Sequence, residues 1–198
     1  MHDVEPLLTG SLLMIRHGQT DWNRKSLMQG SSDIELNEVG REQALDTAQK
    51  LTQEGIRCDV IVSSPLSRAL ETAQIVGNYL GVEVSRTYEG LVERHYGEAE
   101  GQDISFEARR EPDAFYQGVE SERSVYVRGI KTLRQIVSDY PGQHIIAVSH
   151  GSLIRRVLSA SRGEEWKETV PNAQALEIPL DGLFRWAEEN EPLLVGKP

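Results

Sequence analysis

The sequence predicts an α/β fold: a three-layer αβα sandwich with a mostly parallel central sheet and a small helical insertion over the end where a site would form. Three observations support this. Short apolar runs bounded by turn residues alternate with longer stretches of helical period. The 198 residues suffice for one layered domain over 1–198, since roughly 150 residues per domain is usual. The polar, charged stretch 97–122 breaks the alternation and reads as an insertion acting as a lid.

The elements follow in order. Residues 11–16 form the first strand, and the polar run 18–33 reads as a loop. Asn37 suits the cap of a helix over 38–53, with Ala44, Ala48 and Leu51 on one face. Residues 59–63 read as a buried strand. Ser64 and Pro65 then open a helix whose stripe runs Leu66, Ala69, Leu70, Ala73, Val76 and Leu80, and Gly81 ends it. Residues 82–86 and 88–92 are weaker strands. Within the insertion, 104–115 is expected to be helical.

Helix returns over 124–140, with Tyr126, Ile130, Leu133, Val137 and Tyr140 in register, and Pro141-Gly142 breaks it. Residues 144–149 form a buried strand and 151–161 a helix. The segments 173–178 and 183–187 read as strands pairing across an Asp181-Gly182 turn, and 188–198 as a frayed tail.

Hydrophobic residues at 38% and charged residues at 26% exclude wholesale disorder. The net charge of −10 disfavours nucleic acid or an anionic membrane as partner, yet leaves room for one small basic pocket. Cys58 is the sole cysteine, so no internal disulfide forms, in keeping with a reducing compartment. The apolar runs 12–15 and 145–148 are too short to span a bilayer. Asp3 and Glu5 stand where a signal peptide carries positive charge, so the start reads as a disordered lead-in and the location as cytoplasmic. No coiled-coil heptads appear, and homo-oligomer formation cannot be read.

Ligands of open α/β sheets collect beyond the carboxyl ends of the strands. There the sequence places Arg16-His17-Gly18, Ser63-Ser64-Pro65 with Arg68 shortly after, Glu93, and Ser149-His150-Gly151. Helix N-termini are expected to aim free N–H groups at the same spot. Two guanidinium groups match phosphate oxygens. One histidine can attack phosphorus, and the other, if protonated, can stabilise the equatorial oxygens. A carboxylic acid can protonate the leaving oxygen and then activate water. No Asp-x-Asp or His-x-His cluster asks for a metal. Residues 147–151 imitate a serine-hydrolase elbow, but no histidine follows His150, which excludes that mechanism.

Leu13-Met14-Ile15-Arg16-His17-Gly18-Gln19-Thr20-Asp21-Trp22-Asn23 resembles the signature of the histidine phosphatase superfamily, which includes the cofactor-dependent phosphoglycerate mutases. Gln29-Gly30, Leu36-Asn37-Glu38, Ser63-Ser64-Pro65-Leu66-Ser67-Arg68-Ala69, Leu91-Val92-Glu93 and Ser149-His150-Gly151 match in order. The resemblance implies that His17 is phosphorylated while Arg16, Arg68 and His150 bind the phosphoryl group. It implies that Asn23, Gln29, Gly30 and Gly151 complete the pocket, that Glu93 is the proton donor, and that no metal takes part.

The resemblance also frames the choice between phosphatase and mutase. Glu93-Arg94-His95-Tyr96-Gly97 is similar to the mutase form, in which the Arg94 and Tyr96 positions contact substrate. Glu98-Ala99-Glu100-Gly101-Gln102 is similar to the phosphatase branch, and Gln102-Asp103 replaces the mutase Asn-Lys pair. Arg109-Arg110 resembles a mutase arginine pair, though solvated charges on a lid helix read equally well. The expectation is a metal-independent phosphomonoesterase acting on a small phosphorylated substrate, such as a phosphorylated sugar acid. A mutase, needing 2,3-bisphosphoglycerate only as primer, is the alternative. A phospholigand-binding module without turnover is more remote, since binding alone needs neither His17 nor Glu93.

Overall fold

In the computed structural model, which describes residues 9–195, five strands form one sheet in the order β3-β2-β4-β1-β5. Strand β1 (Ser11–Arg16) lies parallel to β4 (His144–Ser149), with Ser11 opposite His144 and Arg16 opposite Ser149. Strand β2 (Val60–Ser63) is parallel to β4 and to β3 (Val84–Thr87). The short β5 (Ala175–Glu177) is antiparallel to β1. The lead-in expected at the N-terminus lies outside the described residues.

Alternation along the strands sorts the core into two layers. Leu12, Met14, Ile145 and Ala147 face α6 (Glu122–Asp139), α7 (Gly151–Arg162) and α8 (Leu180–Glu189), meeting Ile130, Leu133, Leu153, Val157 and Leu183. Ile15, Ile61, Ile146 and Val148 face α2 (Glu38–Gln53) and α3 (Ser67–Leu80), meeting Ala48, Leu51, Ala69, Ala73 and Val76. Asn37 caps α2 by accepting from the Gly40 N–H at 2.9 Å, and Gly81, at φ 72°, ends α3.

Several expectations need correction. Residues 88–92 are not a strand: β3 ends at Thr87, and Glu89–Leu91 makes one 3-10 turn. Its carbonyls go elsewhere, Gly90 and Val92 accepting from Arg128 and Leu91 from the Ser149 hydroxyl. Residues 183–187 are helical within α8, because Leu183, Phe184 and Ala187 share one face. Gly182 makes no hairpin turn; a Cβ there would stand 1.7 Å from the Ser161 carbonyl oxygen, so glycine lets α8 close on α7. The run 18–33 contains the short α1 (Asp21–Arg24), capped by Thr20. Helix α3 starts at Ser67 rather than at Pro65, and Asp33 accepts from the Ser67 N–H at 2.8 Å.

In the insertion the expected helix is two pieces, α4 (Phe106–Arg110) and α5 (Pro112–Phe115), split because Pro112 cannot continue α4. Met28, Ala99, Ile104 and Ala108 form a small core beneath it. The tail expected to fray continues as α8 to Glu189 and then as α9 (Glu191–Val195), with Leu194 buried against the main core; 196–198 lie outside the described residues. Among the described residues no helix is long and apolar enough to cross a membrane.

Candidate active site

The parallel pairing of β1 with β4 decides the geometry. Residues at the same height leave the sheet together, so His17 and His150 follow the Arg16–Ser149 pair as neighbours. The His17 N–H donates to the Ser149 carbonyl at 3.0 Å, and the two imidazole centroids are 5.1 Å apart. From the other side, β2 delivers Ser64, which hydrogen-bonds His150 Nε2 at 2.8 Å, and the first turn of α3 delivers Arg68. The structure thus gathers Arg16, His17, Arg68, Glu93 and His150 at one end of the sheet.

The imidazoles are buried, and their hydrogen bonds assign their atoms. Nδ1 of His17 lies 2.7 Å from the Gly18 carbonyl oxygen. That oxygen only accepts, so Nδ1 carries the hydrogen and Nε2 keeps its lone pair. Burial first, then the Arg68 and Arg16 cations, hold His17 well below the ordinary imidazole range. His150 is depressed for the same reasons, again with burial leading. The same causes disfavour the protonated form of the His150 ring. The Ser64 hydroxyl already accepts from the Leu66 N–H at 3.3 Å and can pass its own hydrogen to His150 Nε2. The ring hydrogen then sits on Nδ1, which is buried without a hydrogen-bond partner among the described residues.

The arginines are fixed differently. Arg16 donates from Nη1 to the Val170 carbonyl at 2.5 Å, while its buried Nε has no partner among the described residues. Gly151 lies beside it, where a Cβ would come within 3.3 Å of Nε. Arg68 is completely buried and donates to the carbonyls of Ser32 and Gly30, each at 2.7 Å. Gln29, with its carboxamide oxygen toward the cation, accepts from Arg68 Nε at 2.9 Å. Burial pulls Arg68 down to about 10, against the opposing pull of Glu93. Gln29 and Gly30 thus hold Arg68 rather than stand free in the pocket.

Glu93 leaves the 3-10 turn instead of a strand and docks on the N-terminus of α7. Its carboxylate accepts from the N–H groups of Ser152 at 2.9 Å, Leu153 at 3.2 Å and Arg94 at 2.8 Å. The helix N-termini are shared: α7 gives the N–H groups of Ser152 and Leu153 to Glu93, and α3 gives its first to Asp33. Arg128 fixes the turn behind Glu93 by donating to the carbonyls of Gly90, Val92 and Glu93.

Tyr96 stands near Glu93 and Arg16, and burial pushes its hydroxyl up to about 12. Arg94 is buried: its Nε donates to the Glu120 carbonyl at 2.7 Å, Asp113 and Glu122 each lie 3.6 Å from its guanidinium, and its Nη2 has no hydrogen-bond partner among the described residues. Asn23 closes the far side, its Oδ1 accepting from the Thr20 N–H at 3.2 Å and from Asn172 at 3.1 Å.

Sequence reasoning missed Asn172. Its Nδ2 also reaches the carbonyls of His17 at 3.0 Å and Gly18 at 3.3 Å, so it ties the histidine loop to Asn23. It also missed Glu100, which accepts from the N–H groups of Ser31, Ser32 and Tyr96 and so anchors the loop that holds Arg68. Neither residue follows a strand end, which is why the sequence carried no signal for them. No group of three His, Cys, Asp or Glu side chains among the described residues is placed to hold a metal ion.

One end of the sheet thus pairs two buried imidazoles with the guanidinium groups of Arg16 and Arg68. Residues 12–181 match the model of the histidine phosphatase superfamily (branch 1), and the chain belongs to that family as an enzyme of the phosphatase kind. It is 34% identical to a protein of Bacillus subtilis (strain 168), "Uncharacterized phosphatase PhoE", over 153 residues covering 77% of this chain and 78% of that one. It is 30% identical to a 2,3-bisphosphoglycerate-dependent phosphoglycerate mutase of Chelativorans sp. (strain BNC1), over 87% of this chain and 91% of that one. The structure of a mycobacterial glucosyl-3-phosphoglycerate phosphatase in complex with VO3 superposes with a TM-score of 0.73 at 31% identity, covering 85% of this chain and 92% of that one.

Proposed function

We propose that the protein hydrolyses phosphate monoesters of small metabolites through a phosphohistidine at His17, without a metal. One observation carries this reading: beside the Nε2 lone pair of His17, two buried polar atoms, Arg16 Nε and His150 Nδ1, have no partner of their own. Buried polar atoms without partners are uncommon in folded proteins, and here both flank the nucleophile, where a phosphoryl group would engage them.

The steps balance. His17 Nε2 attacks phosphorus, the P–O bond to the alcohol breaks, and Glu93 gives its proton to the departing oxygen. Arg16, Arg68 and the His150 ring hydrogen take the charge on the equatorial oxygens. Glu93, now a carboxylate, removes a proton from water, which attacks phosphorus; the P–N bond breaks and inorganic phosphate leaves. Two arginines and a neutral N–H donor supply the positive field that a metal supplies elsewhere.

Hydrolysis is favoured over mutase action by the pair Gln102-Asp103, which brings no lysine. Where the mutase form has an Asn-Lys pair whose lysine binds substrate, Gln102 donates to the Glu98 carbonyl at 2.5 Å and the acidic Asp103 follows it. The test is phosphate release from a panel of esters in the presence of a chelator. It includes 3-phosphoglycerate with and without 2,3-bisphosphoglycerate. Wild type is expected to release phosphate and to form an acid-labile phosphoprotein, and His17→Ala to do neither. Isomerisation outpacing release makes the protein a mutase, and hydrolysis by His17→Ala overturns the scheme.

A further inference from the structure

Glu93 is held at both ends. Its carboxylate meets the N–H groups of α7, and its backbone is gripped from behind by Arg128 of α6. The grip uses the whole guanidinium. Nη1 donates to the carbonyls of Gly90 at 3.1 Å and Val92 at 2.6 Å, and Nη2 to that of Glu93 at 3.0 Å. Nε and Nη2 donate to the two carboxylate oxygens of Glu120 at 2.8 and 2.9 Å. An arginine has five N–H donors in a fixed fork, and here each one has an acceptor. Arg128 therefore has none to spare for a substrate, and its influence on the reaction runs through the turn it holds.

Glu120 carries the grip past the proton donor. Its carboxylate accepts from the His95 N–H at 3.3 Å, and its carbonyl from Arg94 Nε at 2.7 Å. Its own N–H donates to the His95 carbonyl at 2.8 Å. The pair thus binds the chain before Glu93, at Glu93 and after it. Glu120 also closes the base of the insertion, whose two ends run side by side. Tyr96 pairs antiparallel with Val119, and the Glu98 N–H donates to the Gln117 carbonyl at 3.1 Å. One turn along α6 from Arg128, Thr132 faces Gly90, where a Cβ would stand 1.8 Å from the threonine hydroxyl oxygen. Glycine there lets the turn lie directly on α6.

We infer that Arg128 and Glu120 are positioning residues for proton transfer, aiming the Glu93 carboxyl at the leaving oxygen. A general acid works only within hydrogen-bond reach of that oxygen, about 2.6–3.2 Å. The hold of α7 on the carboxylate leaves the backbone of residue 93 free to shift, and the clamp on α6 removes that freedom. The inference rests on the phosphatase reading and deepens it.

The experiment reads one ratio, kcat/KM for glycerol 3-phosphate over that for p-nitrophenyl phosphate, whose leaving oxygen needs no proton. Arg128→Met is expected to lower the ratio about ten- to a hundredfold, because misplacement by about an ångström can cost about 10²-fold. Arg128→Lys keeps the charge but offers only three donors, and is expected to restore part of the ratio. Glu120→Gln is expected to lower it about two- to tenfold. Arg123→Ala, which removes an exposed charge from the same helix, is expected to leave it alone. In the Glu93→Gln protein, adding Arg128→Met is expected to lower the ratio no further, since both changes remove one function. Equal slowing of the two esters by Arg128→Met leaves Arg128 a merely structural role and overturns the inference. So does an equal fall of the ratio with and without Glu93. If Arg128→Met does not fold, Glu120→Gln and Arg128→Lys read the same ratio, and an unmoved ratio in both overturns the inference while leaving the phosphatase reading intact. Failure of wild type to release phosphate from either ester overturns the phosphatase reading, and the positioning role with it.

Discussion

Replacing Glu93 by glutamine separates two jobs held by one carboxylate. The side chain accepts three backbone N–H groups: Oε1 takes Arg94 and Leu153, and Oε2 takes Ser152. A glutamine can keep its oxygen at the first position, but its amide group then faces the Ser152 N–H. One buried donor loses its acceptor, which costs about 1–3 kcal/mol. For a chain of 198 residues each kcal/mol lowers the melting temperature by about 2–4 °C, so a fall of about 2–12 °C is expected. The chemical job is read separately. Loss of general-acid help costs about 10²- to 10⁴-fold on an alkyl ester, whose leaving oxygen needs the proton. It costs much less on p-nitrophenyl phosphate, whose leaving oxygen does not. The assay pairs kcat/KM on glycerol 3-phosphate and p-nitrophenyl phosphate with a thermal melt. Equal slowing of both esters, or slowing of less than about threefold on the alkyl one, refutes Glu93 as the proton donor. An unchanged melt refutes its hold on α7.

Two further outcomes are expected. His17 and His150 are held below the ordinary imidazole range by burial, aided by Arg68 and Arg16. The unfolded chain therefore binds more protons than the native one below pH of about 6.5, and stability falls as pH drops, by up to about 1.4 kcal/mol per unit for each imidazole. Denaturant unfolding at neutral pH and near pH 5.5 measures this, and His17→Asn should flatten the dependence; an unaltered slope counts against the argument. Asn172→Ala removes three hydrogen bonds that fix the His17–Gly18 carbonyls and Asn23. It should lower kcat about 10- to 100-fold through misplacement of the nucleophile, and unchanged single-turnover rates would show that the loop holds without it.

The sequence made the strand ends legible because each couples an apolar run to an abrupt change of chemistry. Ile15 gives way to Arg16-His17, and Val148 to Ser149-His150, so the residues of the pocket could be named before their distances were known. What stayed hidden depends on contacts across long separations. The apolar residues around Leu91 resembled a strand, yet their carbonyls are claimed by Arg128 and Ser149, which no local pattern shows. Asp181-Gly182 carried the chemistry of a turn, while the glycine serves the approach of two helices. Asn172 sits in a loop 155 residues from the histidine carbonyl it fixes.

The fate of the helix N-termini shows how the charge at the site is organised. Free N–H groups at the start of α7 and α3 were expected to receive the anion. Three of them, on Ser67, Ser152 and Leu153, instead bind the chain's own carboxylates, Asp33 and Glu93. An N–H group engaged with a carboxylate adds little attraction for phosphate, so most of the favourable field comes from side chains. Arg68 can supply it because carbonyl oxygens of the 30–32 loop replace its lost water, and Arg16 because Val170 does the same on one side only. The cations are thus prepaid in hydrogen bonds, and burial disfavours charge on the imidazoles between them, which limits repulsion within the clamp. Placing Glu93 rather than the ligand on α7 also fixes the proton donor to the same helix that carries His150 at its start. In the proposed mechanism the grip on the phosphoryl group and the departure of the alcohol are then set by one rigid rod carrying His150 and holding Glu93, and a shift of that rod by an ångström would degrade both together.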